Sequence, residues 1–159
     1  MTTIAYRDGI LAADSCYTES TESGGSRVFQ CRKLYTVSGF VEGSRRTFFI
    51  GFAGGAGWRR FLDWVRAGAD WKNVPEFEKA DDFDAIVVMQ HGMVQQVYTI
   101  DKSMEAEPIV EDYHAIGSGA KCAFIAMDMG ASAISAVERA AVRDPYTRGP
   151  FHAVECKSS

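Results

Sequence analysis

A chain of 159 residues, 47% apolar and 12% aromatic, has the size and composition of one compact domain spanning residues 1–159, and excludes a disordered or collagen-like polymer. Seventeen Lys and Arg against 21 Asp and Glu leave a net charge of -4, so no global basic field is available for nucleic acid or anionic lipid, and small molecules, peptides or proteins are the expected partners. The longest stretch without a formal charge, Ala85 to Ile100, falls short of the ~20 residues that a membrane-spanning helix requires, so no membrane association is expected.

Strands open the chain at Thr3–Tyr6 and Ile10–Asp14, joined by an Asp8-Gly9 turn signal. Glu19 to Ser26 is polar and reads as an exposed loop. Strands resume at Lys33–Val37 and Thr47–Phe52 around a turn near Gly43 to Arg46. After Gly54, Gly55 and Gly57 the apolar period changes from two to 3.6. Trp58, Phe61, Leu62 and Val65 then predict an amphipathic helix that ends near Gly68. Asp70 to Asp82 is polar, contains Pro75 and reads as a connection. Ala85–Met89 and Met93–Ile100 predict a hairpin around His91-Gly92, and Tyr113–Ile116 a short strand. Two helices follow, one carrying Ala120, Ala123, Phe124 and Met127, the other Ala133, Val137, Ala140 and Ala141, with a break at Gly130. Phe151–Cys156 closes as a strand. This order lacks the regular alternation of a doubly wound parallel sheet and predicts an α+β fold, two mainly antiparallel sheets packed together and covered by helices.

The motifs of nucleotide-binding proteins, zinc peptidases and serine hydrolases are missing: no GxGxxG, Walker lysine motif, HExxH or GxSxG occurs. Four cysteines stand at unpaired spacings, and the reading for them is free thiols packed as small apolar groups. His91, His114 and His152 are far apart and read as structural or solvated; the helix aromatics Trp58, Phe61 and Trp64 read as core or interface. Asp81, Asp82, Asp84, Glu111 and Asp112 read as solvated strand ends. The glycines Gly51, Gly54, Gly55 and Gly57, between a strand and a helix, admit two readings: an anion cradle of backbone N–H groups, or close approach of helix and strand.

The N-terminal Met-Thr is the more telling feature. Removal of Met1 before a small threonine gives Thr2 a free α-amine beside its own hydroxyl. Such an amine titrates at about 7.7–8.0, low enough to accept the hydroxyl proton, so nucleophile and base occupy one residue. No basic segment followed by an apolar one precedes the first strand, and a cytoplasmic location is expected.

Taken together, TTIAYRDGILAADS, RKLYTV, GFAGGAG, AIGSGA and DPYTRGP resemble the proteasome β-subunit family, particularly its HslV-like branch, in family order and over nearly the whole chain. The resemblance implies the four-layer αββα sandwich of the N-terminal nucleophile (Ntn) hydrolases and threonine-type endopeptidase activity with no metal or organic cofactor. It places Thr2 as nucleophile, Asp14 as its acidic partner, Lys33 as the family lysine and Gly54 as the oxyanion-hole residue, with Gly55 as the fallback. Ser118, Asp144 and Thr147 match the group that supports the terminal amine. A specificity pocket is implied near Tyr17, Cys31, Tyr35, Phe52 and Ala56, with Phe52 shortening it and favouring apolar substrate side chains. Partners implied are a peptide or unfolded protein substrate, further copies of the chain in a homo-oligomeric ring and an ATP-dependent unfoldase. The family's pair of helices between its two sheet halves is matched by one segment only, because Asp70 to Asp82 leaves little room for a second. A small-molecule amidohydrolase with the same nucleophile and a catalytically silent ring or scaffold subunit are the alternative readings.

Overall fold

Strand β1 (Thr3–Arg7) turns back into β2 (Ile10–Ala13) through Asp8 and Gly9, whose φ angles of 52° and 75° are those a tight two-residue hairpin demands. The computed structural model describes residues 2–157; Met1, whose removal the threonine chemistry requires, lies outside the described residues. Next come β3 (Cys16–Ser20), β4 (Ser26–Gln30), β5 (Leu34–Val41), β6 (Ser44–Gly54) and helix α1 (Trp58–Arg66). The chain continues through β7 (Phe83–His91), β8 (Val94–Asp101), a two-residue β9 (Glu107–Pro108) and β10 (Tyr113–Gly117). Helices α2 (Ala120–Asp128) and α3 (Ala133–Arg143) precede the final strand β11 (His152–Glu155).

The strands form a four-stranded sheet in the order β10-β1-β2-β11 and a five-stranded sheet in the order β5-β6-β7-β8-β9, with β3 and β4 as a separate two-stranded arm. All pairings are antiparallel. Helices α2 and α3 lie on the first sheet, the two sheets face each other, and α1 lies on the outer face of the second, which makes the expected αββα sandwich. Three apolar clusters fill its three interfaces. The alternation along β1 shows how one strand serves two of them: Ile4 and Tyr6 enter the layer between the sheets, whereas Ala5 faces α2 and α3. Alanines dominate that helical interface (Ala5, Ala12, Ala115, Ala123, Ala136 and Ala140), so the helices sit close to the strands.

Three differences from the sequence reading have physical causes. Glu19 to Ser26 is exposed as expected, but its ends belong to the β3–β4 hairpin. That arm pairs only with itself and buries little, so it carries no alternation to read. The strands β5 and β6 run further than their apolar residues, through Arg45 and Arg46, to a turn at Glu42-Gly43 with φ of 52° and 79°. Backbone pairing continues there after burial has stopped. Strand β9 is too short to leave a pattern. Residues 70–82 contain no helix, as their composition predicts, and the outer layer of the second sheet consists of α1 alone among the described residues.

Candidate active site

Asp14 follows the last residue of β2 and is 1% exposed. Its Oδ1 accepts from Lys33 Nζ at 2.7 Å and from the Thr3 N–H at 3.1 Å, while Oδ2 accepts from the N–H groups of Cys16 at 3.2 Å and Arg148 at 3.1 Å. Four donors, one of them an ammonium, satisfy a carboxylate that has lost its water. Lys33 stands one residue before β5, also buried, and donates a second hydrogen bond to the Cys16 carbonyl. The pair thus ties the end of β2, the start of β3, the start of β5 and the segment before β11 into one point.

A second cluster forms where α2 begins and α3 ends. Ser118, two residues before α2, donates through Oγ to Asp144 Oδ2 at 2.5 Å, and Thr147 Oγ1 donates to the same oxygen at 2.5 Å. Asp144 caps the C-terminus of α3, and its Oδ1 accepts from the Tyr146 N–H at 3.1 Å. Burial pushes the Asp144 carboxyl up, but the hydrogen bonds from Ser118, Thr147 and the Tyr146 N–H outweigh it and hold the group below the ordinary aspartate value. Because Thr147 spends its proton on Asp144, the Thr3 hydroxyl, 2.6 Å away, is the donor in the Thr3–Thr147 contact.

The two clusters meet at the start of the chain. Thr2 is 4% exposed and borders a cavity of about 310 Å³ together with Lys33, Tyr17, Cys31, Phe52, Gly54 and Ala56. Tyr35 stands behind this wall: its ring stacks on Trp58 at 5.4 Å and meets Phe52 at 5.9 Å. Burial pushes the Cys31 thiol up, against the pull of the Lys33 ammonium. Of the glycines before α1, Gly54 has φ of 95° and borders the cavity. A Cβ on Gly55 would stand 2.8 Å from the Asp82 carbonyl oxygen, and one on Gly57 2.3 Å from that of Asp81. Close approach of backbone therefore accounts for Gly55 and Gly57, and Gly54 lies at the cavity.

Sequence reasoning missed three contributors. Trp58 reads as core from its helical spacing but lines the cavity. Thr3 reads as a strand residue, yet its N–H and hydroxyl hold both clusters. Gly117 closes β10 with φ of 96°, and a Cβ there would fall 1.8 Å from the Thr2 carbonyl oxygen; its place in the GSG triplet was the one available signal. Elsewhere, His114 packs edge-on against Phe124 at 5.2 Å, and burial lowers its pKa. The cysteines are free thiols, with burial raising Cys156 to about 12.

No family model matches this sequence. No curated protein matches it either. Among solved structures, the chain is similar to eukaryotic HslV from Trypanosoma brucei, with a TM-score of 0.56 and 15% sequence identity over 96% of this chain and 97% of that one. The chain thus shares the fold of that HslV over almost the full length of both chains.

Proposed function

We propose that this protein is an N-terminal threonine peptidase, the proteolytic subunit of a cytoplasmic homo-oligomeric ring that works with an ATP-dependent unfoldase. The observation that carries this reading is that Thr2, Gly54 and Lys33, the last paired with the buried Asp14, border one cavity. After Met1 is removed, the Thr2 amine takes the proton of its own hydroxyl as the oxygen attacks a peptide carbonyl. The Lys33 ammonium disfavours protonation of that amine and so keeps it a base, while Asp14 orients and compensates the lysine. The Gly54 N–H donates to the developing oxyanion, a contribution of about 3 kcal/mol in comparable sites. Collapse of the tetrahedral intermediate passes the proton to the leaving amine and leaves an ester on Thr2. Water hydrolyses that ester, with the same amine as base. Ser118, Asp144 and Thr147 hold the terminus, and the aromatic wall of Phe52 and Trp58 favours apolar substrate side chains.

The deciding experiment is intact mass after treatment with an epoxyketone. The reading requires one adduct per chain that has lost Met1, none on Thr2→Ala, and loss of small-peptide hydrolysis in that variant. A processed chain that takes no adduct, or a Thr2→Ala chain that still hydrolyses peptides, overturns it.

A further inference from the structure

Strands β5 to β8 contain eight to eleven residues each. The nine residues of α1 on their outer face make only about 14 Å of helix, whereas an eleven-residue strand extends about 36 Å. The helix is thus less than half as long as β6 and leaves part of that face uncovered beside it. A groove of about 260 Å³ lies there, walled by Phe48, Trp64, Trp71, Met89 and Tyr98. Trp71 is 53% exposed despite its size.

The same wall holds one cation. Arg46 shares a face of β6 with Phe48, Ile50 and Phe52, since alternate residues of a strand point the same way. Its neighbour across β5 is Gly39, which puts no side chain beside it. Its Nη1 lies 3.3 Å from Met89 Sδ, a weak acceptor, and its Nε is buried with no hydrogen-bond partner among the described residues. No carboxylate among the described residues forms an ion pair with it. Arg46 as a whole is half-buried, and a guanidinium N–H enclosed without a partner is costly, while the rest of the group stays open to an anion.

We propose that this groove binds a small apolar carboxylate, its head held by Arg46 and its chain laid against Phe48, Trp64 and Trp71. The planar guanidinium matches a carboxylate through paired hydrogen bonds. The volume is just below the roughly 300–1,000 Å³ of sites for drug-sized ligands, which suits a short aliphatic chain rather than a folded partner. The inference is independent of the peptidase reading: it uses no residue of that site and holds in Thr2→Ala.

Tryptophan fluorescence of the full chain carrying Trp58→Phe, which leaves Trp64 and Trp71 as reporters, tests it directly. Titration with octanoate should change the emission and give an affinity roughly tenfold above that of 1-octanol, because only the acid gains a charged hydrogen bond. Octylamine should bind more weakly than either. Arg46→Gln should erase the gap between acid and alcohol, and Arg46→Lys should restore part of it. Equal binding of octanoate and octanol overturns the proposal, and that comparison needs no change at Arg46. A preference for the acid that survives Arg46→Gln also overturns it. So does a chain that ignores octanoate but whose emission shifts on dilution as its sedimenting mass falls, since a second copy would then be the occupant.

Discussion

The hydroxyl of Thr3 lies 2.6 Å from that of Thr147, 144 residues further along the chain, and both side chains are wholly buried. Thr3 donates, and Thr147 accepts and in turn donates a hydrogen bond to Asp144, so the residue after the proposed nucleophile hangs on a chain of oxygens ending in a carboxylate. Thr147→Val keeps the shape and removes both bonds. It should cost about 1–3 kcal/mol in urea denaturation, the usual penalty for orphaning buried partners, and should lower kcat for a small peptide because the terminus loses a tether. Thr147→Ser retains the oxygen and should restore most of both.

The depressed pKa of Asp144 gives that network a pH signature. A carboxyl held below its ordinary value favours the folded chain above the unfolded aspartate pKa of about 3.9, and the contribution disappears as pH falls through the lower, folded value. Asp144→Asn lacks the titration. The wild-type chain should therefore be the more stable at pH 6 and lose that advantage progressively below about pH 4. Denaturation midpoints of the two proteins, followed from pH 6 to pH 3, should converge; a constant gap would mean that Asp144 is not held ionised by Ser118, Thr147 and the Tyr146 N–H.

Most of the sandwich was legible from apolar periodicity, because its strands and helices each bury one face: Trp58, Phe61, Leu62 and Val65 gave α1, and Asp8-Gly9 gave the first hairpin. Where burial is weak the pattern fails, as in the self-paired β3–β4 arm and the outer ends of β5 and β6. The site was legible in a different way. No spacing of Asp14, Lys33 and Asp144 says that they gather at the start of the chain; that came from motif resemblance, and the geometry adds Thr3, Trp58 and Gly117. These three act through a backbone N–H, a ring wall and the lack of a Cβ; only the last leaves a local signal, the GSG triplet that holds Gly117.

Gly117 and Gly130 separate backbone strain from crowding. Their φ angles are 96° and 94°, but an added Cβ at Gly117 would meet the Thr2 carbonyl oxygen at 1.8 Å whereas at Gly130 it would meet nothing within 4 Å. Gly130→Ala should cost about 1–2 kcal/mol from the unfavourable conformation alone and leave peptide hydrolysis intact. Gly117→Ala must also displace the backbone of Thr2. It should be the more destabilised of the two and should lose epoxyketone modification even at temperatures where circular dichroism shows it folded.

Lys33 and Asp14 form a buried ion pair at 2.7 Å, with side chains 4% and 0% exposed. Removing one partner leaves the other charge in a site without water, so Asp14→Asn and Lys33→Met should each cost about 3–5 kcal/mol. Asp14→Asn is the milder because the amide oxygen can still accept from the Thr3 N–H, whereas Lys33→Met strands a carboxylate on three backbone donors. Combining the two should cost less than the sum of the singles, since neither charge is then left alone, and a double-mutant cycle by chemical denaturation measures that coupling. A purely structural pair would let the double variant keep its hydrolysis once it is folded. The proposed mechanism requires the opposite: with no ammonium beside it the Thr2 amine is more readily protonated, so the rising limb of the pH–rate profile should move to higher pH in any residual activity of Lys33→Met, with kcat falling more than KM changes.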